Sequence, residues 1–146
     1  MYRYQLLIEY VGTDFIGWQI QKKGKTVQKL LQTTLKKILK ENIVLVGSGR
    51  TDSGVHAKCQ SAHFDIKKLI KNKKKIINSL NHFLNKKLVS ILDIKKKGDN
   101  FHSRYSAKER IYEYIILNRL APSTIDKDKA WHIRKKLNIN IMKKGA

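Results

Sequence analysis

An alternation over residues 2–11 constrains the fold more than any other feature of this chain. Tyr2, Tyr4, Leu6, Ile8 and Tyr10 fall on one parity, and Arg3, Gln5 and Glu9 on the other. A side-chain period of two describes a half-buried strand. The stretch after it, with Gly12, Gly17 and Gly24, reads as a long loop. Thr26 is placed to cap a helix in which Val27, Leu30, Leu31, Leu35, Ile38 and Leu39 recur at helical spacing through Lys40. Residues 43–46 (IVLV) are expected as a short strand. GSGRTDSGVHA follows, and then Ala62, Phe64 and Ile66 alternate in a further strand. Lys73, Lys74 and Lys75 open a second helix whose apolar stripe is Ile76, Ile77, Leu80, Phe83 and Leu84. The lysine run reads as a solvated face. Residues 88–94 and 111–118 are expected as strands, with Pro122 in the loop beyond.

Up to residue 96 the order is β-α-β-β-α-β. That predicts an α+β, ferredoxin-like split βαβ fold, an antiparallel sheet with two helices on one face. Residues 1–100 form this unit, and 101–146 begin a connecting region. A helix opened by Asn138, with Ile139, Met142 and Lys143, closes the sequence after about two turns. Such a helix has little stability of its own, so it docks tightly or the chain is the front part of something longer.

Charge narrows the partner class. Lys and Arg total 32 against 11 Asp and Glu, a net charge of +21 over 146 residues. An excess of that size points to a polyanion, nucleic acid before membrane. The cations are 26 Lys and 6 Arg beside 18 Ile and 9 Asn, a pattern that AT-rich coding also produces. Positive charge gives phosphate affinity and says nothing about chemistry. The single cysteine, Cys59, excludes an intrachain disulfide. The N-terminus has no apolar signal core, and the longest aliphatic run, residues 43–46, is far below the roughly 20 residues that span a bilayer. A soluble, cytoplasmic protein is expected.

The informative segment is Gly49-Arg50-Thr51-Asp52-Ser53-Gly54-Val55-His56-Ala57. It joins the second and third strands, where a functional loop stands on a rigid sheet. It is no P-loop, because Val55-His56 follows Gly54, and no dinucleotide fingerprint, because Asp52 stands where a glycine is needed. What remains is a glycine-flanked turn presenting one carboxylate beside one guanidinium. A lone Asp in such a turn also serves as an Asx-turn or cap. No second acid is placed nearby in sequence, which disfavours paired acid–base hydrolysis. His56 is expected to stabilise the loop by a hydrogen bond. Cys59 is expected to be buried and inert. His63 and Asp65 lack a third ligand, so no metal site is expected. Tyr114 is expected in the core and Trp18 as a packing anchor.

GRTDSGVHA resembles the active-site motif of the tRNA pseudouridine synthase A family. YVGTDFIGWQIQ at 10–21, Thr26-Val27-Gln28, FHSRYSAKERIYEYIILN at 101–118 and Trp131-His132 are similar to further landmarks of that family, collinear over nearly all of the chain. The resemblance implies the first half of a pseudouridine synthase fold. It implies isomerisation of uridine to pseudouridine in the anticodon stem-loop of tRNA, with no cofactor and no metal, by a homodimer. Residue by residue, Asp52 matches the catalytic carboxylate and Arg50 the arginine that helps to extrude the nucleotide. Tyr112 matches the tyrosine that stacks on the target base, and Arg104 a basic position lining the RNA cleft. The carboxylate must be ionised to act as a nucleophile, which neighbouring guanidinium groups favour. An aromatic platform offsets part of the cost of unstacking the base. Family members are longer. Their second half supplies the opposing wall of the cleft, including an arginine partner for the Asp, so this chain is expected to be inactive alone. The alternative is a non-catalytic, basic RNA-binding remnant.

Overall fold

The computed structural model describes residues 1–145. The chain packs as two units, Met1–Glu109 and Arg110–Ala146. The first unit contains β1 (Tyr2–Tyr10), α1 (Val27–Leu39), β2 (Val46–Gly47), β3 (Ala57–Ile66), α2 (Lys73–Leu84) and β4 (Val89–Lys97). The strands lie in the order β2-β3-β1-β4, every pair antiparallel. This is the split βαβ arrangement that the element order predicts.

The alternation of β1 becomes a buried face. Tyr4, Leu6, Ile8 and Tyr10 join Ala62, Phe64 and Ile66 of β3, Val27, Leu31 and Leu35 of α1, and Leu80 and Leu84 of α2 in one core. Each such side chain removed from water contributes about 1.5–3 kcal/mol before entropy is counted. On β4, Ile91 and Ile94 both face the core despite their opposite parity. A register shift opposite Leu7 and Ile8 accounts for this, because the extra residue turns the strand over. Thr26 and Asn72 cap α1 and α2 by accepting from Lys29 N and Lys75 N. Lys40, in the left-handed region at φ 56, ends α1.

Four sequence expectations are corrected. Residues 43–45 are not strand, although Ile43 and Leu45 are buried. Leu45 N donates to Gln32 Oε1 and Leu45 O accepts from Gln28 Nε2, so α1 holds the backbone groups that a ladder would use. Residues 111–115 are not strand either. β5 covers only Ile116–Asn118, where β6 (Trp131–Ile133) runs parallel to it. Apolar alternation without a neighbouring strand leaves backbone groups to water, and Tyr114, expected in the core, is 91% exposed. Cys59, expected buried, is exposed, because it stands near the start of β3 on the face opposite the helices.

In the second unit Asn118 fastens the β5–β6 pair. Its Nδ2 donates to Ile133 O and Lys135 O, and its Oδ1 accepts from Leu137 N. Asn138 Oδ1 accepts from Asn140 N and Ile141 N at the start of α3 (Ile139–Gly145). No described helix is long and apolar enough to cross a membrane.

Candidate active site

The segment 48–56 leaves β2 and enters β3 as a loop fixed at almost every residue around Arg50 and Asp52. Ser48 N donates to Ser61 O and Gln60 Nε2 to Gly49 O, at 2.7 and 2.6 Å. Thr51 is held twice. Its Oγ1 meets the Tyr10 hydroxyl at 2.8 Å, and its carbonyl accepts from Trp18 N at 3.0 Å. Burial pushes the Tyr10 phenol up, opposed by the Thr51 bond, so this group stays protonated. Beyond Asp52 the chain turns back, with Val55 N donating to Asp52 O. Gly54 takes φ +78 at the third position of this turn, where a side chain would be strained. Gly54 N and Ser53 Oγ both donate to Phe15 O.

The partner in these contacts is the loop after β1, and two glycines let the loops touch. A Cβ on Gly12 would lie 2.0 Å from Val55 O, and one on Gly17 2.6 Å from Thr51 O. Gly12 N donates to His56 Nδ1 at 2.9 Å, which places the His56 ring proton on Nε2. The loop-stabilising bond expected of His56 is present. Trp18 is buried against Tyr10, at 6.1 Å between rings, and serves as the expected anchor.

The outcome is a rigid frame with two exposed charges. Arg50 and Asp52 are both exposed and flank the anchored Thr51. A carboxylate presented this way needs no reorganisation to meet a substrate, and the guanidinium two residues away suits a phosphate.

Arg104 belongs to the same unit. It is exposed beside buried Ser103, whose Oγ donates to Val46 O at 2.6 Å. Ser103 Oγ also meets His63 Nδ1 at 2.8 Å, and Ser103 N donates to the same ring nitrogen at 3.2 Å. Burial holds His63 below the ordinary imidazole range. Arg3 and His102 push the same way, and Asp65 opposes them. Arg3 grips both Asp65 carboxylate oxygens, at 2.8 and 2.7 Å, and donates to the carbonyls of Asp99 and Phe101. That bidentate bond holds the Asp65 carboxyl below its ordinary range. His63 and Asp65 are thereby committed to structure, and among the described residues no group of three ligating side chains could hold a metal. Tyr112 lies in the second unit and is exposed.

Sequence reasoning placed Tyr10 in the core and gave Thr51 no role. The signal that could have found them is the pair Gly12 and Gly17, since glycines in a loop outside a tight turn mark close backbone approach.

A family model described as tRNA pseudouridine synthase matches residues 6–106. The chain is 60% identical over 146 residues to the tRNA pseudouridine synthase A of Pelagibacter ubique, covering 100% of this chain and 59% of that protein. It is 43% identical to the enzyme of the same name from Anaplasma phagocytophilum and 41% to that from Anaplasma marginale, each over 99% of this chain and 59% of the relative. The chain thus spans well under two thirds of the length of these curated relatives.

Proposed function

The chain belongs to the tRNA pseudouridine synthase family, and on that premise we propose that it carries the nucleophile of an isomerase converting uridine to pseudouridine in tRNA. The observation that carries this reading is Asp52, an exposed carboxylate in a loop whose Thr51, Ser53 and Gly54 are held by hydrogen bonds. The family resemblance gives the chemistry. The carboxylate attacks the target uridine at C1′ or C6, or otherwise promotes cleavage of the glycosidic bond. The freed uracil turns and is rejoined through C5; any bond to the carboxylate breaks and Asp52 is released, C5 gives up its proton and N1 takes one up. Substrate and product are isomers, so the step consumes no co-reactant, and the resemblance implies neither metal nor cofactor.

Arg50, exposed beside Asp52, contacts the RNA and helps to extrude the nucleotide. Arg104 contributes a further phosphate contact. Tyr112 stacks on the extruded base, a contribution of about 1–3 kcal/mol for an aromatic platform. The substrate region is the anticodon stem-loop, the compartment is the cytoplasm, and the assembly is a homodimer. Residues 1–100 form the RNA-binding and catalytic subdomain, and 101–146 lead toward the second half present in longer family members.

Asp52 lies open to water on its own unit, and a carboxylate in bulk solvent lacks the electrostatic support of a dry, preorganised site. The 146-residue chain alone is therefore expected to turn over poorly. That exposure also favours a second reading, a non-catalytic RNA-binding remnant. The two separate in one experiment. A chimera joins this chain to the portion of the Pelagibacter relative that it does not span, and is incubated with an unmodified tRNA transcript. Carbodiimide labelling and primer extension then map pseudouridine. New pseudouridine in the anticodon stem-loop is expected. None anywhere would leave the remnant, and modification elsewhere would sink the site assignment.

A further inference from the structure

A second feature lies at the opposite end of the sheet from Asp52. The candidate loop runs into Ala57, which pairs with Tyr10, whereas the far end pairs Tyr2 with Ile66. Nine-residue β1 separates the two ends by roughly 27 Å. From Lys67 to Leu92 the chain holds eight lysines and no Asp or Glu. Most of these lysines gather at the far end. Ile70 N donates to the Tyr4 hydroxyl, which pins the 67–72 connection to the start of β1. Asn81 exchanges two hydrogen bonds with Ile91, fixing α2 antiparallel to β4. The start of α2 and the end of β4 therefore lie at the same end.

A groove there is floored by Ile38, Ile66 and Ile76 and edged by Lys68, Lys71 and Lys75. Lys73 and Lys74 stand beside it in the first turn of α2, which contains no acid. Lys96 lies 5.1 Å over the ring of Tyr2. Cations in the first turn of a helix oppose its dipole, and each is unfavourable by a few tenths of a kcal/mol. Two acids lie close by: Glu41 accepts from Lys67 N within this connection, and Asp65 is gripped by Arg3. Six lysines between residues 67 and 75 outnumber these two acids, so the face keeps a net positive potential.

We propose that this lysine-edged face binds the phosphate backbone of the same RNA at a point remote from the target uridine. The inference rests on the tRNA-modifying reading above and adds a second contact to it. Phosphates rather than bases are the ligand, because the groove is edged by ammonium groups, no aromatic ring lines it, and the nearby Tyr2 ring is covered by Lys96. A lipid surface fits less well. Most of the apolar stripe of α2 packs on the core through Leu80 and Leu84, and the exposed Leu69 and Phe83 are single side chains rather than a continuous apolar face. Two contacts on one unit, roughly 27 Å apart, require an RNA longer than the loop that presents the uridine.

The test is Lys68→Gln/Lys71→Gln/Lys75→Gln in the full 146-residue chain, with circular dichroism to confirm that the fold is kept. Binding of unmodified tRNA and of an isolated anticodon stem-loop oligonucleotide is measured across salt concentrations. The triple variant should bind whole tRNA roughly ten- to a hundredfold more weakly at moderate salt, and the slope of log affinity against log salt should fall by about 2–3. Binding of the short stem-loop should be nearly unchanged. Unaltered tRNA affinity and slope would make the lysines a solvated face and overturn the proposal. Equal losses on both RNAs would also overturn it, by reducing the face to a general field. So would a loss of binding to phosphatidylserine vesicles with tRNA binding intact, which would assign the face to membranes. Failure of the triple variant to differ, with wild-type tRNA binding and chimera activity both present, would leave the catalytic reading standing.

Discussion

Gly12→Ala probes the contact that holds the candidate loop. The new Cβ would meet Val55 O at 2.0 Å, Val55 C at 2.6 Å and Gly54 C at 3.0 Å. All three are backbone atoms, so no side chain can swing aside. The loop carrying Asp52 must move or the loop after β1 must retreat. Overpacking of this kind costs about 1–3 kcal/mol. Retreat also breaks the bond from Gly12 N to His56 Nδ1, worth about 1 kcal/mol. The sum is about 2–4 kcal/mol, a large part of the roughly 5–15 kcal/mol that keeps a domain folded. For a unit of this size that corresponds to a fall in Tm of roughly 10–20 °C. Thermal unfolding followed by circular dichroism measures it. Gly98→Ala is the control, because a Cβ there meets nothing within 4 Å. Equal Tm values for the two variants would refute the claim that backbone contact between the loops fixes Asp52.

Three further outcomes follow from the geometry. Tyr10→Phe and Thr51→Val should each destabilise by about 1 kcal/mol, and the double variant by less than their sum, because both remove one hydroxyl pair; additive losses in a denaturant cycle would contradict the 2.8 Å bond. His63 is neutral in the fold and protonates more readily once unfolded, so its contribution is full above the ordinary imidazole range and fades as pH falls below about 6.5. The stability gap between wild type and His63→Gln should therefore shrink on acidification, by at most about 1.4 kcal/mol per pH unit, and a gap that widens would reverse the assigned sign. In the chimera, Tyr112→Phe should keep most of the turnover while Tyr112→Ala loses roughly five- to a hundredfold, since stacking uses the ring; equal losses would assign the role to the hydroxyl.

Elements built on periodicity were legible in the sequence. The alternation of β1 and the helical spacing of α1 and α2 each encode a buried face, and the strand order follows from how such faces close on one core. Elements that depend on a partner were not. Ile43 and Leu45 look like strand residues, yet the side chains of Gln28 and Gln32, more than ten residues away, take the backbone groups of Leu45. Residues 111–115 show the same apolar pattern with no strand beside them. At the candidate site, Asp52 and Arg50 stood out through the resemblance of GRTDSGVHA to a family motif, since a lone Asp between glycines also reads as an ordinary turn residue. Tyr10 and Thr51 did not, since a hydroxyl pair separated by 41 residues leaves no local pattern.

The central claim is that Asp52 is the nucleophile, and one paired measurement tests it most directly. Pseudouridine turnover and tRNA affinity are compared for the chimera and its Asp52→Ala variant under identical salt. Removing a nucleophile should lower turnover by at least about a thousandfold. Affinity should hold or rise slightly, because a negative charge near phosphates is lost. Unchanged affinity with abolished turnover is the predicted result. A variant that keeps a substantial fraction of its turnover would contradict the account, and would return Asp52 to the role of a residue that merely shapes its turn.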